Sequence, residues 1–123
     1  MNVNETIVKL VHLPRRFIDL GNVSFYALLE ETSYFTVHDK VSEADIREAL
    51  LRHPECVEDW IFYSEDKRSS EGWYLKQNDK GGYVVGWVDS QGRDKRPMAY
   101  AERGDACAAF IKHEIDQIRS NAS

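Results

Sequence analysis

Two hydrophobic periodicities meet in the middle of the chain. Apolar side chains first recur every three or four positions, at Val57, Trp60 and Ile61, which predicts a helix with one buried face. From Trp73 onward apolar and polar positions alternate, which predicts a strand, and a glycine-containing turn then leads into a second strand. We therefore expect a helix and an aromatic hairpin over residues 73–88 to form much of the core, with a charged loop beside them.

The first forty residues predict two short helices and one ambiguous segment. Apolar positions spaced for one helix face open the chain, and Pro14 is expected to end that helix. Either Asn22 or Ser24 can cap a second helix that runs through Glu30. Residues 34–37 are aromatic and β-branched, so they favour a short strand or an extended connector that carries aromatic side chains into the core.

Clearer end signals mark the two helices that follow. Ser42 precedes Asp45 by three positions, a capping-box arrangement, and the pair His53-Pro54 is expected to stop this helix. The next helix is predicted over residues 55–63 and has acids in its first turn, where they suit the positive end of the helix dipole.

The C-terminal part predicts a small meander covered by one helix. A third strand is expected at residues 98–100, where Pro97 restricts it to a sheet edge or a strand start. The most amphipathic stretch predicts a helix over 105–119, with Asp105 as its candidate cap. The fold class is therefore α+β: about three antiparallel strands packed with several α-helices, the last of them on the sheet. We expect residues 1–123 to form a single globular domain.

Charge is distributed unevenly along the chain. Residues 42–66 contain eight acids and two bases, a net charge of −6, whereas residues 67–103 contain eight bases and five acids, a net charge of +3. An acidic middle disfavours direct nucleic-acid binding, which needs clustered lysine and arginine. No apolar run approaches the roughly 20 residues of a membrane span, and the start of the chain lacks a secretory signal. A cytoplasmic protein without a membrane partner is expected.

Candidate catalytic and metal-binding motifs are weak. Neither the four histidines nor the two cysteines show metal-site spacing, so no metal or other cofactor is predicted. Cys56 and Cys107 are expected to be reduced core residues, with a single disulfide between them as the alternative. His113 and Glu114 favour a helix-surface ion pair or a partly exposed imidazole over a buried pair. Adjacent carboxylates such as Glu65-Asp66 could serve acid–base catalysis, but a solvated helix face is the simpler interpretation.

Several motifs resemble those of a group of small bacterial proteins. They lie at residues 42–47, 63–74, 83–86 and 106–112, and the resemblance covers roughly residues 23–118. In these motifs the chain resembles immunity proteins of polymorphic-toxin and contact-dependent growth inhibition systems. The resemblance implies a non-enzymatic protein that binds and neutralises a cognate toxin domain, which we expect to be a basic domain, most simply a nuclease.

An acidic surface suits such a partner, because a nuclease carries positive charge to hold its substrate. The predicted surface contains five acids that would meet toxin lysines and arginines, the two bases of the adjoining loop, and two aromatic anchors: Glu55, Glu58, Asp59, Glu65, Asp66, Lys67, Arg68, Trp73 and Tyr74. Acids that merely keep the domain soluble would give the same composition. A regulatory module with another protein partner and a small hydrolase that uses Glu65 or Asp66 are the alternative functions.

Overall fold

A computed structural model describes residues 2–66 and 71–122, which form seven α-helices and one antiparallel sheet. In chain order the helices are α1 (Val3–Val11), α2 (Leu13–Leu20), α3 (Phe25–Glu31), α4 (Tyr34–Val37), α5 (Glu43–Arg52), α6 (Glu55–Asp66) and α7 (Arg103–Ala122). The strands are β1 (Gly72–Gln77), β2 (Tyr83–Val88) and β3 (Asp94–Tyr100), in the order β1-β2-β3. The predicted α+β fold, with the last helix packed on a three-stranded sheet, is confirmed.

The predicted hairpin forms, with Trp73 opposite Trp87. Its turn is held by the side-chain oxygen of Asn78, which accepts hydrogen bonds from the backbone N–H groups of Lys80 and Gly82, each at 2.9 Å. Gly81 has a φ of +83°, a left-handed conformation that favours glycine. The sequence therefore specifies this turn through one polar side chain and one glycine.

The two outer edges of the sheet differ in character. Helix α6 packs against β1, and the Ser64 hydroxyl lies 3.4 Å from the Leu75 carbonyl. At the other edge β3 is exposed along most of its length and carries Lys95, Arg96 and Pro97 in succession. Arg96 has a φ of +52°, and the register between β2 and β3 shifts beside it.

Buried aromatic and aliphatic side chains join α1, α6 and α7 into one core. The Trp60 indole is fully buried on α6, and its Nε1–H donates a 3.0 Å hydrogen bond to the Val11 carbonyl. Its ring packs edge-on against Phe25, Tyr63 and Phe110. Because these residues come from four parts of the chain, Trp60 is the point where the N-terminal helices meet the C-terminal helix.

The capping box and the cysteine prediction are confirmed. The Ser42 hydroxyl accepts from the Asp45 N–H at 3.1 Å, and the Asp45 carboxylate accepts from the Ser42 N–H at 3.0 Å. Cys56 and Cys107 are both buried free thiols, so the alternative disulfide is not formed. Burial raises the pKa of Cys56 to about 12 and also raises the pKa of Cys107.

Two local predictions were wrong, and the one for Pro14 was incomplete. Residues 34–37 form a helical turn and neither a strand nor an extended connector, although Tyr34 does enter the core. Pro14 follows the end of α1 but lies in the first turn of α2. Backbone N–H groups of the first turn have no intrahelical acceptor, so the missing N–H of proline costs nothing there. Helix α7 begins at Arg103, so Asp105 lies inside its first turn and is not its cap.

None of the described helices combines the length and the apolar character that crossing a bilayer requires.

Candidate partner-binding surface

One side of α6 presents an exposed aromatic ring among acids. A helix advances about 100° per residue, so Glu55, Glu58, Phe62 and Glu65 fall within roughly 80° of one another and opposite Trp60. All four are exposed. We call them the α6 face. Three of the predicted acids therefore share one surface.

Phe62 is the residue of the α6 face that sequence reasoning missed. Its side chain is 56% exposed, although phenylalanine is usually buried. The helical period contained the signal: Phe62 lies two positions after buried Trp60, which turns it about 200° away from the core. A large apolar side chain held in water by a helix is suited to contact with another protein.

Two of the predicted acids form ion pairs within the fold. Asp59 accepts a 2.7 Å hydrogen bond from the Arg15 guanidinium, and its side chain is only 12% exposed. This carboxylate also raises the pKa of Arg15. Glu58 pairs with Arg103 at the start of α7 but stays largely exposed. Asp59 thus attaches α2 to α6, whereas Glu58 remains accessible on the α6 face.

The charged loop after α6 was also predicted to contribute. Asp66 ends α6, and its side chain lies outside the described part of the structure. Lys67 and Arg68 lie outside the described residues as well. Their predicted contacts with a partner therefore stay predictions.

Trp73 and Tyr74 point to opposite faces of the sheet, as strand alternation predicts. The Trp73 ring stacks on His113 of α7, with centroids 4.0 Å apart and planes 12° from parallel. It also packs edge-on against the Trp87 ring, with the ring centroids 5.4 Å apart. These two tryptophans line a groove of about 450 Å³ together with Lys95, Arg96 and Gln117. In this groove Trp73 therefore shares its surroundings with two cationic side chains and with none of the α6 acids.

Tyr74 covers Gly86 on the other face of the sheet. A Cβ atom at Gly86 would lie 2.6 Å from the Tyr74 hydroxyl oxygen, so the close approach of this ring requires glycine. The hydroxyl donates a 2.7 Å hydrogen bond to Asp94, and Lys76 Nζ lies 5.0 Å from the ring centroid. Burial is the largest cause that raises the pKa of Tyr74, and the hydrogen bond to Asp94 raises it further. Tyr74 is thus held by residues of the sheet itself.

Glu114 is buried, so the predicted surface ion pair with His113 is wrong, whereas the alternative prediction, a partly exposed imidazole, is confirmed by half-buried His113. Glu114 is only 3% exposed, and its carboxylate accepts a 2.7 Å hydrogen bond from the Tyr63 hydroxyl. His113 turns instead toward Trp73. Desolvation and the nearby carboxylate of Glu114 raise the pKa of Tyr63, so this tyrosine stays a hydrogen-bond donor. The contact joins α6 to α7 through buried polar groups.

Half-burial of His113 predicts a pH-dependent stability. Desolvation, the largest cause, lowers the pKa of His113 below its ordinary 6.5, and Lys112 adds to this, while Glu43 and Asp116 oppose it. The unfolded chain therefore binds this proton more readily, so the free energy of unfolding decreases as the pH falls from 6.5 through the folded pKa.

We expect His113→Gln to reduce that decrease, measured by urea unfolding at pH 7.5 and pH 5.5. Met98→Ala, which removes an exposed side chain that does not titrate, serves as the control and should leave the pH dependence unchanged. An identical pH dependence in His113→Gln and the parent protein would contradict the assignment to His113.

Comparison of the chain with protein-family models, with curated proteins and with solved structures found no match. The support for a function therefore comes from the residues themselves. Carboxylates around an exposed aromatic ring can bind a basic protein surface, and the groove at Trp73 presents the opposite charge.

Proposed function

We propose that this protein is an immunity protein, which binds and neutralises a basic bacterial toxin domain, most simply a nuclease. The observation that carries the proposal is the α6 face, where Phe62 is exposed between Glu58 and Glu65. The resemblance of the chain's motifs to immunity proteins supports the same function. The primary contact residues are then Glu55, Glu58, Phe62 and Glu65.

The two kinds of side chain on the α6 face would contribute differently to binding. Acids accelerate encounter with a basic partner and exclude partners of the wrong charge. An exposed aromatic ring that enters a pocket can supply a large part of the affinity, since binding hot spots combine aromatic anchors with a surrounding ring that excludes water. Phe62 is the anchor in this proposal, and Glu58 and Glu65 are its acidic surround.

The ion pairs of α6 position this surface within the domain. Arg15 reaches Asp59 from α2, and Arg103 reaches Glu58 from α7, so the helix is tied on two sides. Trp60 fixes the opposite side of the helix in the core. A binding face that is already ordered loses little conformational entropy when the partner binds.

The direct test is co-expression with the toxin domain encoded by the neighbouring upstream reading frame. We expect the protein to relieve growth arrest and to form a 1:1 complex that weakens as salt is raised. Phe62→Ala should weaken the complex by about 2 kcal/mol or more, roughly thirtyfold, as for other aromatic anchors. Glu65→Lys should chiefly slow association and reduce its salt dependence.

Matched controls are available on other surfaces. Met98→Ala removes an exposed apolar side chain from β3, and Glu30→Lys makes the same charge reversal on α3. Both variants should bind as the parent protein does. Failure to relieve growth arrest would contradict toxin neutralisation, and a complex that Phe62→Ala and Glu65→Lys leave unchanged would contradict the α6 face as its interface.

A protein-interaction module with a partner other than a toxin would use the same exposed aromatic and acids. Co-expression separates the two functions, because only a toxin-neutralising protein restores growth. A small hydrolase that uses Glu65 or Asp66 stays an untested alternative. Glu65 is exposed, and such an environment does not supply the desolvation that usually tunes a catalytic carboxyl group.

A further inference from the structure

Two helix corners bring together His12, His53 and Glu55, which are far apart in sequence. His12 joins α1 to α2, His53 joins α5 to α6, and Glu55 is the first residue of α6. One potential ligand atom from each of the three lies within 4.8 Å of the others. Two imidazoles and one carboxylate are the protein ligands of many zinc sites that leave a further position for water.

Both imidazoles are oriented by the surrounding structure. Nδ1 of His12 lies 2.8 Å from the Val8 carbonyl oxygen, and the tautomer that donates this hydrogen bond leaves the Nε2 lone pair available to a metal. Metal-binding histidines characteristically make such a second hydrogen bond. The His53 ring packs edge-on against His12 at 5.0 Å, and its Nδ1 lies 3.8 Å from Glu55 Oε1.

A cavity gives a hydrated ion access to the cluster. Its volume is about 360 Å³, and it is lined by His53, by the acids Asp45 and Glu48 and by the cation Arg52. Through this cavity the half-buried imidazole of His53 is accessible to a hydrated ion.

We propose that His12, His53 and Glu55 bind a divalent transition-metal ion, Zn²⁺ in the first instance, with water completing the coordination. Zinc bonds to nitrogen and oxygen of about 2.0–2.1 Å place tetrahedral ligand atoms about 3.4 Å apart. The Glu55 side chain is 63% exposed, so it can rotate to close the remaining distance. The ion would link the α1–α2 corner to the α5–α6 corner and stabilise the folded state.

The test uses purified full-length protein, freed of metal by a chelator that is then removed. Titration with ZnCl₂ in a calorimeter should show one ion per chain, and zinc at about ten times its Kd should raise the Tm by about 5 °C. Substituting Co²⁺ should give the visible absorption of a tetrahedral site. His12→Gln and His53→Gln should each weaken binding by at least about tenfold.

His38→Gln is the matched control, because this half-buried histidine lies outside the cluster, and it should bind zinc as the parent protein does. Glu55→Gln changes an exposed side chain, so it serves where a histidine variant fails to fold. Absence of zinc binding at a zinc concentration of about 1 mM would overturn the proposal. Equal zinc affinity in the parent, His12→Gln and Glu55→Gln would overturn it as well. These measurements involve no toxin domain, so their outcome is separate from that of the proposed function.

Discussion

Trp60→Ala is expected to lower the free energy of unfolding by about 3–5 kcal/mol, the usual cost of removing a fully buried large aromatic side chain. The substitution removes the ring contacts with Phe25, Tyr63 and Phe110. It also leaves the Val11 carbonyl without the indole donor. Urea unfolding followed by far-ultraviolet circular dichroism measures the loss without depending on tryptophan fluorescence.

Phe62→Ala provides the control on the same helix. It removes an exposed aromatic side chain two positions away, so the free energy of unfolding should change by no more than about 0.5 kcal/mol. Equal losses in Trp60→Ala and Phe62→Ala would show that α6 is not oriented as described. The same comparison shows that any loss of partner binding in Phe62→Ala does not arise from unfolding.

Glu114→Ala is expected to lower the free energy of unfolding by about 1–3 kcal/mol, because the Tyr63 hydroxyl loses its buried acceptor. Tyr63→Phe removes the donor from the same contact. In the double variant the loss should be smaller than the sum of the single losses, since both substitutions remove one shared hydrogen bond. Urea unfolding of the parent and the three variants supplies this comparison.

Glu48→Ala is the matched control for Glu114→Ala. Glu48 forms an exposed i,i+4 ion pair with Arg52, so its removal should cost about 0.5 kcal/mol or less. Additive losses from Glu114→Ala and Tyr63→Phe would contradict an energetic coupling between the two side chains. A loss in Glu114→Ala no larger than in Glu48→Ala would show that the buried carboxylate does not stabilise the fold.

Local signals in the sequence predicted much of the fold because they act within one turn or one strand pair. Ser42 and Asp45 satisfy each other's backbone groups, so α5 begins where the sequence indicates. Alternation around Trp73 and the turn at Asn78 specify the hairpin. The apolar period of α7 predicts its buried face, which packs on the sheet as expected.

Tertiary context decided the elements that were predicted wrongly. Residues 34–37 have strand propensity, yet burial of Tyr34 and its hydrogen bonds with Lys112 and Asp116 hold them in a helical turn. The Tyr34 contact lies about eighty positions away along the chain, so no local pattern contains it. Glu114 was placed at the surface for the same reason: its acceptor role depends on Tyr63 from another helix.

The candidate site could be predicted only in part. The helix predicted over residues 55–63 contains Glu55 and Glu58, and its period would have identified Phe62. Glu65 joins the same face because α6 continues to Asp66, beyond the predicted end. Ion pairing of Asp59 with Arg15 joins positions 44 residues apart and could not be read from spacing. The approach of His12 to His53 is likewise a product of helix packing, which is why no metal-binding motif is visible in the sequence.

The two protected sheet edges restrict how any partner can recognise this protein. Pairing of a foreign strand needs a flat row of unpaired backbone N–H and C=O groups. Helix α6 packs against β1, and β3 interrupts such a row with Pro97, the left-handed backbone of Arg96 and two consecutive cationic side chains. Strand addition and edge-to-edge polymerisation at β3 are therefore disfavoured, which favours recognition through side chains displayed on helices or in grooves.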